Sequence, residues 1–574
     1  MPDPVRRRRR MSRLTALRPI VSANTRWGRS SFRRSRVTAM LSAACLLLAG
    51  ATTAVVGPQA QALENGVART PPMGWNTWNT FGCNISETLI RQTVDALVSN
   101  GMATQGYKYV VVDDCWFNPN RDAQGNLQAH PTRFPSGMKA LGDYIHSKGL
   151  KFGIYQVPVD KTCAQYFNSF PGATGSRGHE EQDARQFAAW GVDFLKYDWC
   201  SPTGTMAEQV AAFAKMRDAL AATGRPIVYS INSNSIHEKT GPLRDWGDVA
   251  HMWRTTEDIT NRWDTGSDGS SFMGVQNIIN VNVPLAPYAQ PGGFNDPDML
   301  EVGNDGMTET EQRSHFAMWA MMAAPLIAGN DVRSASAATL AVLKNADLIA
   351  VNQDPLGLQA TQVSNDGTRR VIAKRLANGD IAVALLNQGS ATTTISTTAA
   401  AIGKTGTSFT LRDLWTGATS PTSGAISASV PAHGTAVFRV SGGGLAPAPV
   451  PFSLRSESAG RCVDSPKGAS TNGTQPALWD CNGAAQQLFT RSGNMLQLLG
   501  NCLETAPNAA AGAKVQLWYC NGGTNQQWTL NSNGTISNVQ TGLCLDVNNN
   551  GTANGTPVIV WTCHGNANQR WVRV

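Results

Sequence analysis

The chain has no C-x-x-C pair and no H-x-x-x-H motif, and its eight histidines are scattered. Zinc sites and helix-borne metal centres are built from such spacings, so no metal is expected. A G-x-G-x-x-G fingerprint is missing too, which argues against a dinucleotide-binding sheet; no cofactor is expected. A net excess of one charge sign is lacking over most of the length. Twelve arginines and one acidic residue fall in residues 1–62, which leaves 36 basic and 39 acidic groups after them and makes the formal +8 misleading. Nucleic acid is therefore not an expected partner. The apolar run "AMLSAACLLLAG" is far shorter than the roughly 20 residues that cross a bilayer, so no membrane attachment is expected once it is removed.

What is present at the start reads as an export signal over residues 1–62. A basic region ending in "FRRSRV" precedes the apolar run, and "AQA" at Ala60–Ala62 is a small-x-small cleavage site. Arg33-Arg34 suits a twin-arginine route, and a general secretory route fits as well. Ten of the eleven cysteines lie beyond this segment, an even number suited to an oxidising compartment. A secreted, extracellular protein is expected.

Residues 63–358 repeat one pattern, short β-forming runs followed by turns and Ala-rich helical stretches. The runs "PPMGWNTW", "YKYVVVDD", "LKFGIY", "VDFLKYD", "PIVYSIN", "AHMWRTT", "GGFND" and "PLIAGND" predict eight parallel strands and a (β/α)₈ TIM barrel. Residues 359–440 alternate, turn at "NGD" and grow rich in Thr and Ser, which predicts an antiparallel β-sandwich. The composition of "SGGGLAPAPVP", residues 441–451, is that of a linker.

Residues 452–574 hold an internal repeat. Cys462, Cys502 and Cys544 are 40 and 42 residues apart, and Cys481, Cys520 and Cys563 follow them by 18 or 19. Pairing each with its follower is the economical disulfide assignment. Eight residues past the second cysteine stand Phe489, Trp528 and Trp571, preceded by Gln487, Gln526 and Gln569. The C-x-D, W-x-C and Q-x-W pattern resembles the ricin B-type β-trefoil lectins, the family 13 carbohydrate-binding modules. That resemblance implies a threefold array binding polysaccharide. It places sugar contacts at Asp464, Trp479 and Gln486, at Glu504, Trp518 and Asn525, and at Asp546, Trp561 and Asn568. Glu504 departs from the usual Asp, which singles out the middle site as the weakest. Phe489, Trp528 and Trp571 are read as core.

The chemistry of a barrel gathers where its strands end. Here those ends carry Trp75, Asp113, Asp114, Tyr155, Lys196, Asp198, Asn232, Arg254, Asp258, Asp296 and Asp298. Carboxylates interleaved with aromatics suit a sugar, whose hydroxyls want charged acceptors and whose C–H face wants a ring. Glycosidic cleavage needs a nucleophile or base and a separate acid. Asp198 ends the fourth strand and Asp258 follows the sixth. At about 4.8 Å per strand, inward side chains can close to roughly 5 Å, the spacing of a retaining enzyme. Lys196, on the same side as Asp198, is expected to hold it ionised. The plainer reading makes Asp198 only an ion-pair partner of Lys196 or Arg254.

The ordered motifs "PPMGWNTWNTFGC", "VVDDCW", "KFGIY", "LKYDWC", "MWRTTEDI" and "FNDPDMLEVGN" resemble glycoside hydrolase family 27, the melibiase-type α-galactosidases. The resemblance implies Asp198 as nucleophile and Asp258 as acid/base. It puts Trp75, Asp113, Asp114, Tyr155, Lys196, Arg254, Asp298 and Met299 around galactose, with Cys83–Cys115 and Cys163–Cys200 as disulfides. An α-galactoside oligo- or polysaccharide is the implied substrate. "YSINSNS" departs from the Glu-Trp of animal members: Asn232 and Ser235 are smaller and neutral, compatible with galactose or with N-acetylgalactosamine. The intact Asp113-Asp114 pair argues against a β-L-arabinopyranoside. A carbohydrate-binding protein with an inactive barrel is the non-enzyme alternative, and the presence of both catalytic carboxylates argues against it.

Overall fold

The computed structural model describes residues 65–201, 203–233, 244–266, 272–447 and 450–574. The export signal expected over residues 1–62, and Ser235, lie outside the described residues.

Eight short strands form the first domain: β1 Met73–Asn76, β2 Tyr109–Val112, β3 Lys151–Gln156, β4 Phe194–Tyr197, β5 Val228–Ile231, β6 Met252–Arg254, β7 Phe294–Asp296 and β8 Leu326–Ala328. Every neighbouring pair is parallel, in the order β8-β1-β2-β3-β4-β5-β6-β7. A bridge from Leu300, just past β7, to Ala328 of β8 closes the seam. All eight coincide with the predicted runs. Strands buried on both faces need continuous apolar sequence, and β2, "YVVV", is covered along its whole length. Helices begin where a hydroxyl can accept a free backbone N–H: Ser86 caps Glu87–Ser99, and Thr205 with Glu208 forms a capping box at Met206–Ala222. Glu87–Ser99 turns Ile90, Val94 and Leu97 onto the sheet. Because the strands are parallel, their C-terminal ends share one rim.

The second domain is a six-stranded antiparallel sheet facing a two-stranded one, Thr393–Thr398 with Ala425–Val430. Its strand Ile381–Asn387 is buried at every residue. Ile381, Val383 and Leu385 enter the core between the sandwich sheets, while Ala382, Ala384 and Leu386 enter the barrel's core. Residues 441–451, expected as a spacer, are partly tied down: Gly444–Leu445 pairs with Lys404–Thr405, and Arg375 donates to the Ala446 carbonyl at 2.5 Å. Two successive glycines with positive φ, Gly442 and Gly443, turn the chain into that pairing.

The third domain is three four-stranded antiparallel sheets around one core. The last strand, Trp571–Arg573, pairs with the first, Leu454–Ser456, so the ends of the repeat lock the ring. Phe489, Trp528 and Trp571 are core, as their spacing predicts, and the two indole N–H groups donate to Leu503 and Leu545 carbonyls. The trefoil also docks: Gln362 of the sandwich donates to the Gly500 carbonyl at 2.7 Å, and the Asn365 backbone N–H to the Cys520 carbonyl at 3.1 Å.

Candidate active site

Asp198 sits one residue past β4. Its Oδ1 accepts the Trp199 backbone N–H at 2.8 Å, and its Oδ2 accepts the Tyr155 hydroxyl at 3.2 Å. The Cys163–Cys200 disulfide ties the loop after β3 to the residues just beyond Asp198. Among the described residues neither Lys196 nor Arg254 pairs with Asp198. Lys196 Nζ reaches Asp113 Oδ2 at 2.8 Å, and Arg254 reaches Asp298 at 2.9 Å and Asp258 at 3.1 Å. The plain ion-pair reading of Asp198 therefore fails.

The charge on Asp198 differs from expectation. Burial raises its pKa, the Lys196 charge opposes, and Asp258 adds to the rise; the net direction is upward. Lys196 does favour the ionised form, as its place on the strand predicts, but protein crowding outweighs it. Alternation of side chains gives the side of a strand and not which carboxylate an ammonium chooses. Lys196 itself is held protonated: burial pulls its pKa down, and Asp113 and Asp198 pull it up further. Burial, then the Asp198 charge, lifts the Tyr155 hydroxyl far above its ordinary value, so it remains a donor.

Asp258 stands apart from this covered group, with 53% of its side chain exposed and Arg254 against it. It begins a two-residue ribbon, Asp258–Ile259 beside Phe272–Met273, beyond the end of β6. Asp298 braces that ribbon: its Oδ2 accepts the Ile259 N–H at 2.9 Å as well as Arg254, and its backbone holds φ 80°. A branched-at-Cγ residue in left-handed conformation is costly, and such strain persists where packing and hydrogen bonds over-determine it.

A cavity of about 30 Å³ opens on the barrel axis, lined by Lys196, Asn232, Arg254, Asp298 and Met299 and reaching down to Val111 and Phe194. It holds about one water. Asn76 and Asp296 also line it; Asp296 was expected among the strand ends, whereas Asn76 was missed in sequence. Asn76 donates to Asp113 at 2.7 Å, and burial pushes the Asp296 carboxyl up to about 6. Four expected sugar contacts lie off this wall, and one of them, Asp113, is engaged by Lys196 and Asn76. Trp75 is wholly buried with its indole on the Asn330 carbonyl. The Tyr155 hydroxyl reaches Asp198 and the sulfur of Cys163, and Lys196 lies over its ring. Asp114, lifted to about 7 by burial, spends its oxygens on the Ala164 and Cys115 N–H groups.

The remaining disulfides join Cys83–Cys115, Cys462–Cys481, Cys502–Cys520 and Cys544–Cys563. One trio among the described residues brings ligand-type atoms within 4.8 Å, Cys163, Asp198 and Cys200. Its two sulfurs are bonded to each other, so it is no metal site.

In the trefoil the three acidic residues are almost covered, and each is braced by the glutamine of its repeat. Gln487, Gln526 and Gln569 donate to Asp464, Glu504 and Asp546 at 2.8, 2.9 and 2.8 Å. Trp479 and Trp561 are 45% and 44% exposed, free faces for a ring; Trp518 is half-buried. Glu504 also accepts from Gln516 and Asn525. Asn568 donates to both oxygens of Asp546, whereas Gln486 Oε1 is buried without a partner.

Three family models match the chain. Residues 70–354 match "Alpha galactosidase A", residues 366–440 its C-terminal β-sandwich domain, and residues 450–571 the ricin-type β-trefoil lectin domain. Alpha-galactosidase 2 of Arabidopsis thaliana is 47% identical over 354 residues, 62% of this chain and 84% of that protein. The chain belongs to the α-galactosidase family. Alpha-galactosidase A of Cellvibrio japonicus is 43% identical over 412 residues, 69% of this chain and 97% of its own. Among solved structures, α-galactosidase I of Mortierella vinacea superposes with a TM-score of 0.63 at 36% identity, covering 67% of this chain and all of that one.

Proposed function

We propose that this protein is a secreted, retaining α-galactosidase that releases terminal α-D-galactose from oligo- or polysaccharides, held on polysaccharide by its trefoil. The observation that carries the reading is the unlike pair of carboxylates on one barrel rim. Asp198 is hydrogen-bonded and crowded by protein, and Asp258 is exposed on the ribbon past β6, close enough that its charge disfavours ionisation of Asp198. Two carboxylates in different surroundings suit two different roles. Asp198, positioned by Tyr155 and Trp199, attacks the anomeric carbon, and Asp258 gives its proton to the departing glycosidic oxygen. Asp258 then takes a proton from water, which opens the glycosyl–Asp198 ester. Arg254, shared by Asp258 and Asp298, keeps the acid aimed while Asp298 fixes the ribbon.

Galactose is favoured as the glycone by the curated relatives and by the family member from Saccharomyces cerevisiae solved with raffinose. Asn232, just past β5, is on the cavity wall. The test is an NMR time course on an aryl α-galactoside. α-Galactose must appear first, because two displacements at one carbon restore configuration. β-Galactose as first product overturns the mechanism, and faster turnover of the matched α-N-acetylgalactosaminide overturns the glycone.

A further inference from the structure

The barrel, the sandwich and the trefoil meet around a cleft of about 300 Å³ that the proposed catalysis does not use. We propose that this cleft binds a carboxylate-bearing sugar, a hexuronate residue, with its carboxylate seated on Arg370. Arg370 lies on the sandwich strand Arg369–Arg375 and is 6% exposed. Its Nε is buried without a hydrogen-bond partner, and one terminal nitrogen donates to Asn280 Oδ1 at 2.7 Å. No carboxylate pairs with it among the described residues, and burial alone pulls its pKa down to about 10. Other covered guanidiniums in this chain are answered, Arg254 by Asp298 and Arg121 by Asp183 at 2.6 Å. A desolvated cation left without a counter-charge is unfavourable unless something else supplies the charge.

The rest of the cleft fits a sugar acid better than a bare anion. Asn280 Oδ1 already accepts a second bond, from Gln388 at 3.1 Å, so donors outnumber acceptors on that wall. The trefoil contributes Asn472 at the exposed mouth, and no acidic side chain lines the cleft. Val283, Pro284 and Leu499 give it an apolar strip, the surface that the C–H face of a pyranose requires. A guanidinium takes a carboxylate through two parallel hydrogen bonds, and carboxamides take ring hydroxyls in either sense. Because the walls come from three domains, the bound uronate would bridge them, and the site would hold acidic branches of a polysaccharide while neutral ends are trimmed elsewhere. The proposal is independent of the catalytic reading.

Calorimetric titration of the full chain tests it, with galactose in excess to fill the catalytic mouth and the trefoil sugar sites. Methyl β-D-glucuronide should bind one per chain, and methyl β-D-glucoside and inorganic phosphate should bind at least tenfold more weakly. Arg370→Gln removes the cation, and Gln388→Glu, on a half-exposed residue, places a competing carboxylate beside it. Each should weaken the uronide at least tenfold while leaving kcat on a small aryl galactoside unchanged. Absence of uronide binding overturns the proposal, as does equal binding of the neutral glucoside. Phosphate binding as tight as the uronide overturns the sugar assignment. Uronide binding that survives Gln388→Glu places the ligand elsewhere and overturns it even if Arg370→Gln does not fold.

Discussion

Replacing Tyr155 by Phe removes the hydroxyl that serves the nucleophile, together with its contact to the Cys163 sulfur. Tyr155 is buried, its hydroxyl donates to Asp198 Oδ2 at 3.2 Å, and a phenyl ring keeps the packing. The donor favours the ionised carboxylate over the neutral one. A hydrogen bond to a charged group contributes about 1.5–3 kcal/mol, and this long one belongs at the low end. About 1.4 kcal/mol corresponds to one pH unit. Asp198, already raised by burial, rises further in the variant, and a nucleophile is active only when ionised. The acid limb of kcat/KM should therefore move upward by about one pH unit, with activity near the alkaline side of the optimum reduced far less than at acid pH. Initial rates on an aryl α-galactoside from about pH 3 to pH 8 measure this. An unmoved limb with a uniform loss at all pH would make Tyr155 a positioning group without influence on Asp198 ionisation, and a downward shift would contradict the electrostatics outright.

Asp198→Asn should abolish turnover, since no covalent intermediate can form, and Asp198→Ala should regain part of its rate with added azide or formate. Asn should also stabilise the fold. The folded-state pKa of Asp198 is raised, so its contribution to stability is fully present below the unfolded value and is lost as pH rises through the folded one. The melting temperature of Asp198→Asn should exceed that of the wild type by about 2 °C or more at pH 7, and the gap should close toward pH 4; no gap at neutral pH would refute the assignment. Asp258→Ala should slow glycosylation far more for a natural galactoside than for an activated aryl galactoside, and equal losses would reject Asp258 as the acid. Ending the chain after Pro447, which keeps the Gly444–Leu445 pairing, should leave small-substrate hydrolysis nearly unchanged while retention on branched polysaccharide falls. Trp479→Ala with Trp561→Ala should cost more retention than either alone, and a loss of small-substrate activity on truncation would mean that the domains are coupled.

The eight barrel strands were legible because each is a short β-forming run bounded by turn residues, and the trefoil because its cysteines, glutamines and aromatics recur in step. Carboxylates at strand ends pointed to the rim for the same reason: parallel strands deliver their C-termini to one face. Long-range choices were less legible. That Lys196 takes Asp113 depends on how β2 and β4 sit across β3. The glutamines of the repeats were read as markers, whereas each holds a nearly buried carboxylate, a contact between residues 22 or 23 apart. The glycines after Ser441 have the composition of a tether, but two of them serve as turns into a strand, a role that only the partner Lys404–Thr405 reveals. Docking of the trefoil on Gln362 and Asn365 had no local signal, because polar surface contacts leave no periodicity.

The strand Ile381–Asn387 sends alternate side chains into two cores, with no residue left for water. Melting either core would strip one face of this strand and expose three apolar side chains of it, so the barrel and the sandwich cannot unfold one at a time. The trefoil closes on itself through its first and last strands and shares no such element. Calorimetry of the whole chain should accordingly resolve two cooperative transitions for three domains, with the boundary between them set by strand sharing and not by the linker.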